Sequence, residues 1–515
     1  MNLGDYSAYW ARLRADRAAV VCGEQTLTWQ QLNAQADGVA AALQALGVVK
    51  GERVGCLLNN CSEWVITYIA ALKTGAMLVP LHLRYSDKQL REIERQADCR
   101  VVVARSDQLA RLSEVPAAQT ASSTDIHLYS RVSAEFVSLQ AAASSGALPR
   151  RVETVPGDVA VISYTSGSTG LPKGVMLTHD GIFAFATSQL MAQRWTSEEQ
   201  VLLLAPFAFT GGVISGLTPT YVIGACLHIE ENADPLRVLS IIRDRRITSL
   251  TAVPIFFERI AAAPDFATAD ISCLRLAITG GAPVPEALLK QYVDKGVSIR
   301  QVYGCTEACG MIAQPPEAVA LAKPWTCGFP LATLRLRVVD DEGRDCAPGA
   351  RGEVWLQGEQ MMRGYWRNPQ ADVEAWTDGW YRTGDIGILD DDGHLAIVDR
   401  KKNMIITGGV NVYAAEVERE MAGIAGVAEV LVFGRPDRNW GERVVAAIYG
   451  PAALDPVALL EQGKQLLGGY KAPKELIVSR QPLPRTTTGK IARSEIDVLY
   501  ASLAGEPRAT SGDIG

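Results

Sequence analysis

The sequence predicts an α/β protein of more than one domain, and three observations carry that reading. Short apolar strands alternate with amphipathic helices through the N-terminal part, the signature of layered α/β packing around largely parallel strands. From about Thr333 the pattern changes to short extended segments, read as a small β-barrel-like part. After Asp399 a helix–strand alternation returns, long enough for a compact α+β domain. The 515 residues are 48% apolar, ample for a large interior and too long for a single growing core. The predicted division is 1–398 and 399–515, with Asp399-Arg400 at the boundary.

In chain order, Thr26 to Leu46 reads as a short strand and an amphipathic helix, followed by the strand Arg53 to Leu58. A helix from Glu63 to Lys73 stops at Gly75, and an apolar strand from Met77 stops at Pro80. Val101 to Ala104 and Val159 to Ser163 are further strands, separated by a Ser/Ala-rich connector. Asp234-Pro235 supplies a helix cap and first position. That helix runs to Arg245, before the strand Ile247 to Ala252. The strand Leu274 to Thr279 ends at Gly280-Gly281 and precedes a helix from about Pro285 to Val293. Ligand loops in such architectures sit at the carboxyl ends of strands. The C-terminal part reads as a helix from Ala414 to Met421, strands Glu429 to Phe433 and Val444 to Tyr449, a helix from about Pro456 to Gly468, and a frayed tail after Ala504.

Composition excludes several classes. A net charge of -7 and the lack of a long Lys/Arg cluster argue against a nucleic-acid partner. Val201 to Ile229 carries no charged residue, but Pro206, Gly211, Gly212, Gly216, Pro219 and Gly224 interrupt it. A buried strand, a turn and a core helix fit it better than a membrane span. The start has no basic region followed by an apolar core, so no secretory signal is predicted. Ten dilute cysteines, without a second Cys/His pair at zinc-finger spacing, read as reduced cytoplasmic thiols.

The most informative segment is Tyr164-Thr165-Ser166-Gly167-Ser168-Thr169-Gly170-Leu171-Pro172-Lys173-Gly174. It leaves a buried strand, packs hydroxyls between small residues and ends on a cation. Gly167 and Gly170 let backbone approach an anion, and hydroxyls and amides donate to it. Lys173 can neutralise a transferring phosphate group. A P-loop would require a Gly-Lys-Ser/Thr ending, which is absent. Gln301 to Glu307 adds an aromatic face at Tyr303, a hydroxyl at Thr306 and a hard carboxylate at Glu307 suited to Mg²⁺.

These segments resemble the adenylate-forming superfamily of acyl-CoA synthetases, luciferases and peptide-synthetase adenylation domains, over roughly Leu27 to Ile491. The resemblance implies a large N-terminal domain and a small mobile C-terminal domain, with ATP bound between them. It makes Thr165, Ser166, Gly167, Thr169 and Lys173 the phosphate-contacting set. Gly281, Ala282, Pro283, Tyr303 and Gly304 would border adenine, Thr306 the α-phosphate, Glu307 the metal, and Asp385 and Arg400 the ribose. Asp399 is similar to the family hinge. Gly408, Gly409 and Asn411 would border the site where coenzyme A attacks, and Ala414 replaces a common family proline. Lys490, in Thr486-Thr487-Thr488-Gly489-Lys490, would hold the carboxylate and bridging phosphate oxygen during adenylation. Glu353, Gly358 and the stretch around Gly364-Tyr365 also resemble the family and are read as mainly structural.

The acid pocket is expected near Phe207, Phe209, Thr210, Gly211, Gly280 and Tyr303-Gly304, with Cys305 and Cys309 at its edge. Phe209 stands where many relatives have histidine. The apolar lining favours an aromatic, alicyclic or medium-chain acid. No Asp follows Phe207 as it does in domains that hold an α-amino group, so amino-acid adenylation is disfavoured. The expected enzyme is thus an ATP- and Mg²⁺-dependent acyl-CoA ligase, with a homodimer allowed. Delivery of acyl-AMP to a carrier protein is the nearest alternative; non-catalytic nucleotide binding and light emission are more distant.

Overall fold

A computed structural model describes residues 2–112, 125–165, 172–230, 234–280, 284–468, 470–485, 491–493 and 496–510. The chain divides into two compact units. One comprises Met1–Leu336, Leu356–Tyr381 and Gly393–Leu395; the other comprises Arg337–Trp355, Arg382–Asp392 and Ala396–Gly515.

The larger unit holds two extensive sheets. In the first, of nine strands among the described residues, Ala18–Cys22, Cys226–Ile229, Gln200–Leu203, Ser249–Ala252, Leu276–Gly280 and Ile299–Cys305 run parallel in that spatial order. Antiparallel strands close both edges. The second, of eight strands among the described residues, has Val101–Arg105, Arg53–Leu57, Met77–Pro80 and Val159–Thr165 parallel at its centre. Such parallel strands are apolar throughout because both faces are covered. The cover between the sheets is the helix Ser62–Thr74, which touches Ala18–Cys22 of one sheet and Arg53–Leu57 and Met77–Pro80 of the other. Its Trp64, Tyr68, Ile69 and Leu72 are all fully buried, as expected of a helix apolar on every side. It ends because Gly75 turns left-handed at φ +69°.

The helix predicted after Thr26 spans Trp29–Ala45 and starts in a capping box of Thr28 and Gln31. Asp234 caps Pro235–Asp244 through the Arg237 amide. The uncharged stretch from Val201 folds as a strand, the helical turns Thr210–Gly212, a π-helical segment Val213–Leu217 and the helix Thr218–Ile223. No helix among the described residues is long and apolar enough to cross a membrane. Residues 334 to 400 contribute a five-stranded half-barrel sheet.

In the smaller unit, strands Glu429–Asp437, Gly441–Tyr449 and Glu475–Ser479 pack against Ala414–Ala422 and Pro456–Leu467. The core there is Val417, Met421, Val432, Val444, Ile448, Leu460 and Leu476. The tail corrects one expectation. Arg508–Thr510 is not frayed: it pairs antiparallel with Glu475–Ser479 and buries Ala509. Three residues are too few to show a period in sequence.

Candidate active site

The described ends of the phosphate-loop segment are two paired strands. Val159–Thr165 pairs antiparallel with Lys173–Thr178, and Thr165 stands opposite Lys173. The Thr165 hydroxyl donates to the Lys173 carbonyl at 3.4 Å. Ser166, Gly167 and Thr169 lie outside the described residues. A Cβ at Gly174 would meet Ile162 at 2.9 Å and the Tyr164 ring at 3.1 Å, so any larger residue would force those side chains to shift. Thr178 then caps the helix His179–Gln193 by accepting from the Gly181 amide, so the strand Lys173–Thr178 is held at both ends.

The strand Ile299–Cys305 delivers Tyr303, Gly304 and Cys305, and a 3₁₀ turn, Thr306–Ala308, follows. Tyr303 is buried within the sheet, opposite Ala313. Gly304 is exposed, and a Cβ there would lie 2.2 Å from the Gly310 carbonyl oxygen. Glu307 is half-buried, and its carboxylate accepts from the Tyr365 phenol at 3.0 Å. Tyr365 is brought there by sheet pairing, since Gly364–Tyr365 lies antiparallel to Val175 and Met176. The Lys173 ammonium sits 5.2 Å from the centroid of the same Tyr365 ring. Lys173 and Glu307, far apart in sequence, therefore meet on one tyrosine. Burial first, and the Glu307 charge second, hold the phenols of Tyr365 and its neighbour Tyr381 well above their ordinary range.

A hydroxyl chain ties the phosphate segment to the expected acid pocket. Ser163 donates to Thr210 at 3.0 Å, and Thr210 donates to Thr306 at 3.2 Å. Thr306 accepts in that bond, which leaves its own proton to donate outward. Thr210 is itself buried, so it supports Thr306 from behind. Of the remaining pocket residues, Phe207 is fully buried against Trp64, with ring centroids 4.9 Å apart. Cys309 is also fully buried, and burial pushes its thiol up. Phe209 is half-buried, and Gly211 is exposed with open space where a side chain would extend. Gly280 ends its strand beside Val302, while Gly281, Ala282 and Pro283 lie outside the described residues.

Two side chains in this region matter more than their sequence positions suggest. Tyr365 lies in a stretch read as mainly structural, yet it touches both Lys173 and Glu307. His82 stands in no motif, and its ring stacks on Phe209 at 4.7 Å. Its Nδ1 accepts from the Arg84 amide at 3.0 Å, and burial pushes its pKa down to about 4. No spacing signal in the sequence links position 82 to position 209.

In the smaller unit, Asp385 is buried and ion-paired with Arg400 at 3.0 Å. Those two residues, both expected at ribose, are thus neighbours. Buried Glu353 accepts from Arg382 and from the Gly384 amide, each at 3.3 Å. Asp399 has both carboxylate oxygens engaged: one takes the Arg400 amide at 2.6 Å and Asn403 at 3.0 Å, and the other takes the Ala415 amide at 2.7 Å. The last bond caps Ala414–Ala422 with a negative charge, favourable at a helix N-terminus. Gly408 and Gly409 form the two-residue turn between Met404–Thr407 and Val410–Tyr413, with φ of +58° and +77°. Asn411 is exposed and pairs with Ile406. Lys490 lies outside the described residues; Arg485 and Ile491, on either side of its segment, form a β-bridge.

The donor set at Glu307 fits Mg²⁺, an ion that takes one or two protein carboxylates and completes its shell with phosphate oxygens and water. A half-buried, phenol-steadied carboxylate beside a lysine and a hydroxyl is suited to a polyanion carrying such an ion.

Comparison with known proteins agrees with that chemistry. The AMP-binding enzyme family model matches residues 8–366, and the AMP-binding enzyme C-terminal domain matches residues 416–490. A feruloyl-CoA synthase from Amycolatopsis sp is 34% identical over 506 residues, covering 96% of this chain and 98% of that protein. An indoleacetate–CoA ligase from Aromatoleum aromaticum is 33% identical, covering 97% of this chain and 98% of that protein. Among solved structures, the o-succinylbenzoate CoA synthetase of Bacillus subtilis, in complex with its acyl-adenylate intermediate, matches with a TM-score of 0.83 and 26% identity. That match covers 96% of this chain and 97% of the other. The chain belongs to the AMP-binding enzyme family, the adenylate-forming superfamily that includes the acyl-CoA synthetases.

Proposed function

We propose that the chain is an acyl-CoA ligase that activates an apolar carboxylic acid with ATP. The observation that carries this reading is the meeting of Lys173, Glu307 and Tyr365, with Thr306 on the same turn. An acid carboxylate is already ionised near neutral pH, so no base is needed for its attack on the α-phosphorus. The P–O bond to pyrophosphate breaks as the acyl–phosphate bond forms. The chain's own task is to align two anions and offset their repulsion. Lys173 and the Thr306 proton do this for the phosphates, and Lys490 is assigned to the carboxylate and bridging oxygen. When bound at Glu307, Mg²⁺ would supply further charge neutralisation. Thr165, Ser166, Gly167 and Thr169 are assigned to the phosphates. Gly281 to Pro283, Tyr303 and Gly304 are assigned to adenine, and Asp385 with Arg400 to the ribose hydroxyls.

The second half-reaction is attack of the coenzyme A thiol on the acyl-AMP carbonyl, with AMP leaving and the thiol proton lost to solvent. Gly408, Gly409 and Asn411 are assigned to that step, with 399–515 as the moving domain and Asp399 as its hinge. The half-buried ring of Phe209 and the open space beside Gly211 support an aromatic, alicyclic or medium-chain acid. The named acids of the two ligase relatives favour the aromatic arm of that range.

The test is thioester formation with ATP and coenzyme A across acids graded in length and ring content. AMP and acyl-CoA should appear together, with ring-bearing acids ahead of acetate. Acyl transfer only to a carrier protein would refute the coenzyme A assignment. For Lys490, K490A should abolish pyrophosphate release; normal release with failed thioester formation would show the residue was misassigned.

A further inference from the structure

Tyr365 touches both candidate catalytic charges of the larger unit through different parts of one side chain. Its phenol donates to Glu307 at 3.0 Å, and its ring face lies 5.2 Å from the Lys173 ammonium. The ring is buried, so neither contact is a chance surface encounter. The backbone fixes the arrangement independently. Tyr365 pairs with Val175, two residues beyond Lys173, and the Met362 amide donates to the Glu307 carbonyl at 2.7 Å.

We propose that Tyr365 is a positioning residue that holds the carboxylate of Glu307 and the ammonium of Lys173 in register for one metal–nucleotide ligand. The inference rests on the assignment of Glu307 and Lys173 to Mg²⁺·ATP made above. A ligating carboxylate held by a hydrogen-bond donor loses fewer alternative orientations when it binds, and a cation held over a ring is kept from pairing with that carboxylate directly. Tyr365 thereby keeps two opposite charges close without letting them neutralise each other.

The two contacts can be separated. Y365F keeps the ring face for Lys173 and removes the proton donated to Glu307. Y365L removes both. The readouts are Mn²⁺ binding to the enzyme–ATP complex, followed by electron paramagnetic resonance, and ATP binding without metal, followed by calorimetry. Y365F should weaken Mn²⁺ binding by about 10-fold or more, the usual size for losing a group that orients a metal ligand, while metal-free ATP binding stays as in the parent. Y365L should weaken both readouts; where Y365L does not fold, Y365F decides alone. In an E307Q background, adding Y365F should change nothing further, because Tyr365 acts through that carboxylate.

Mn²⁺ binding by Y365F indistinguishable from the parent, with E307Q clearly weakened, would overturn the positioning role and leave the Glu307 assignment standing. E307Q binding Mn²⁺ like the parent would overturn the Glu307 assignment and the inference with it.

Discussion

Single residues decide how closely the ligand-facing turn can be built. At Gly304 a Cβ would stand 2.2 Å from the Gly310 carbonyl oxygen, and backbone on both sides leaves no flexible side chain to yield. G304A should therefore lower stability by about 1–3 kcal/mol, as overpacking does, and should displace Thr306 and Glu307. Denaturant unfolding combined with pyrophosphate release checks both effects. Thr210 makes a different case. T210V removes the donor to Thr306 and leaves the buried Ser163 hydroxyl without its partner, a loss of about 1–3 kcal/mol. The same change should slow adenylation, since Thr306 loses its support. Residues of this kind were only partly legible in the sequence. Lys173, Thr306 and Glu307 could be picked out because their chemistry sits in short local motifs. Tyr365 and His82 could not, because what makes them important is a neighbour supplied by strand pairing or stacking across the fold.

At the scale of elements, legibility followed local signals. Helices marked by a stop or a cap, such as Ser62–Thr74 with its stop at Gly75 and Pro235–Asp244 with its cap at Asp234, lie within a residue or two of their expected bounds. Arg508–Thr510 gave no such signal, because its existence depends on an open edge at Glu475–Ser479. The hairpin turn at Gly408-Gly409 offers a test at this scale. Both glycines have positive φ, but a Cβ at Gly408 would also meet the Trp440 ring at 3.0 Å, whereas Gly409 faces open space. Each alanine substitution should cost about 1–2 kcal/mol from left-handed backbone alone, and G408A should be the worse of the two. With the coenzyme A step assigned here, both variants should keep pyrophosphate release and lose thioester formation. Separate assays of the two half-reactions measure the split.

For the whole molecule, protonation couples the fold to pH. His82, His179 and His228 are buried in separate parts of the larger unit, and burial pushes each from 6.5 down to about 4. Between those values the unfolded chain binds protons that the native one refuses, so stability rises with pH across that window. The contribution is complete above about 6.5 and is lost as pH falls towards 4. Chemical denaturation at a series of pH values should show a loss with a slope approaching three protons, and H82N should reduce that slope by about one.

The proposed function couples ATP cleavage at the α-phosphorus to thioester formation on an apolar acid. The most direct measurement follows a single turnover with ATP, coenzyme A and an aromatic acid bearing ¹⁸O in its carboxylate. Acyl-AMP should form before acyl-CoA, and one ¹⁸O should appear in the AMP, because the carboxylate oxygen remains on the α-phosphate. Release of ADP, or AMP free of the label, would rule out adenylation of the acid.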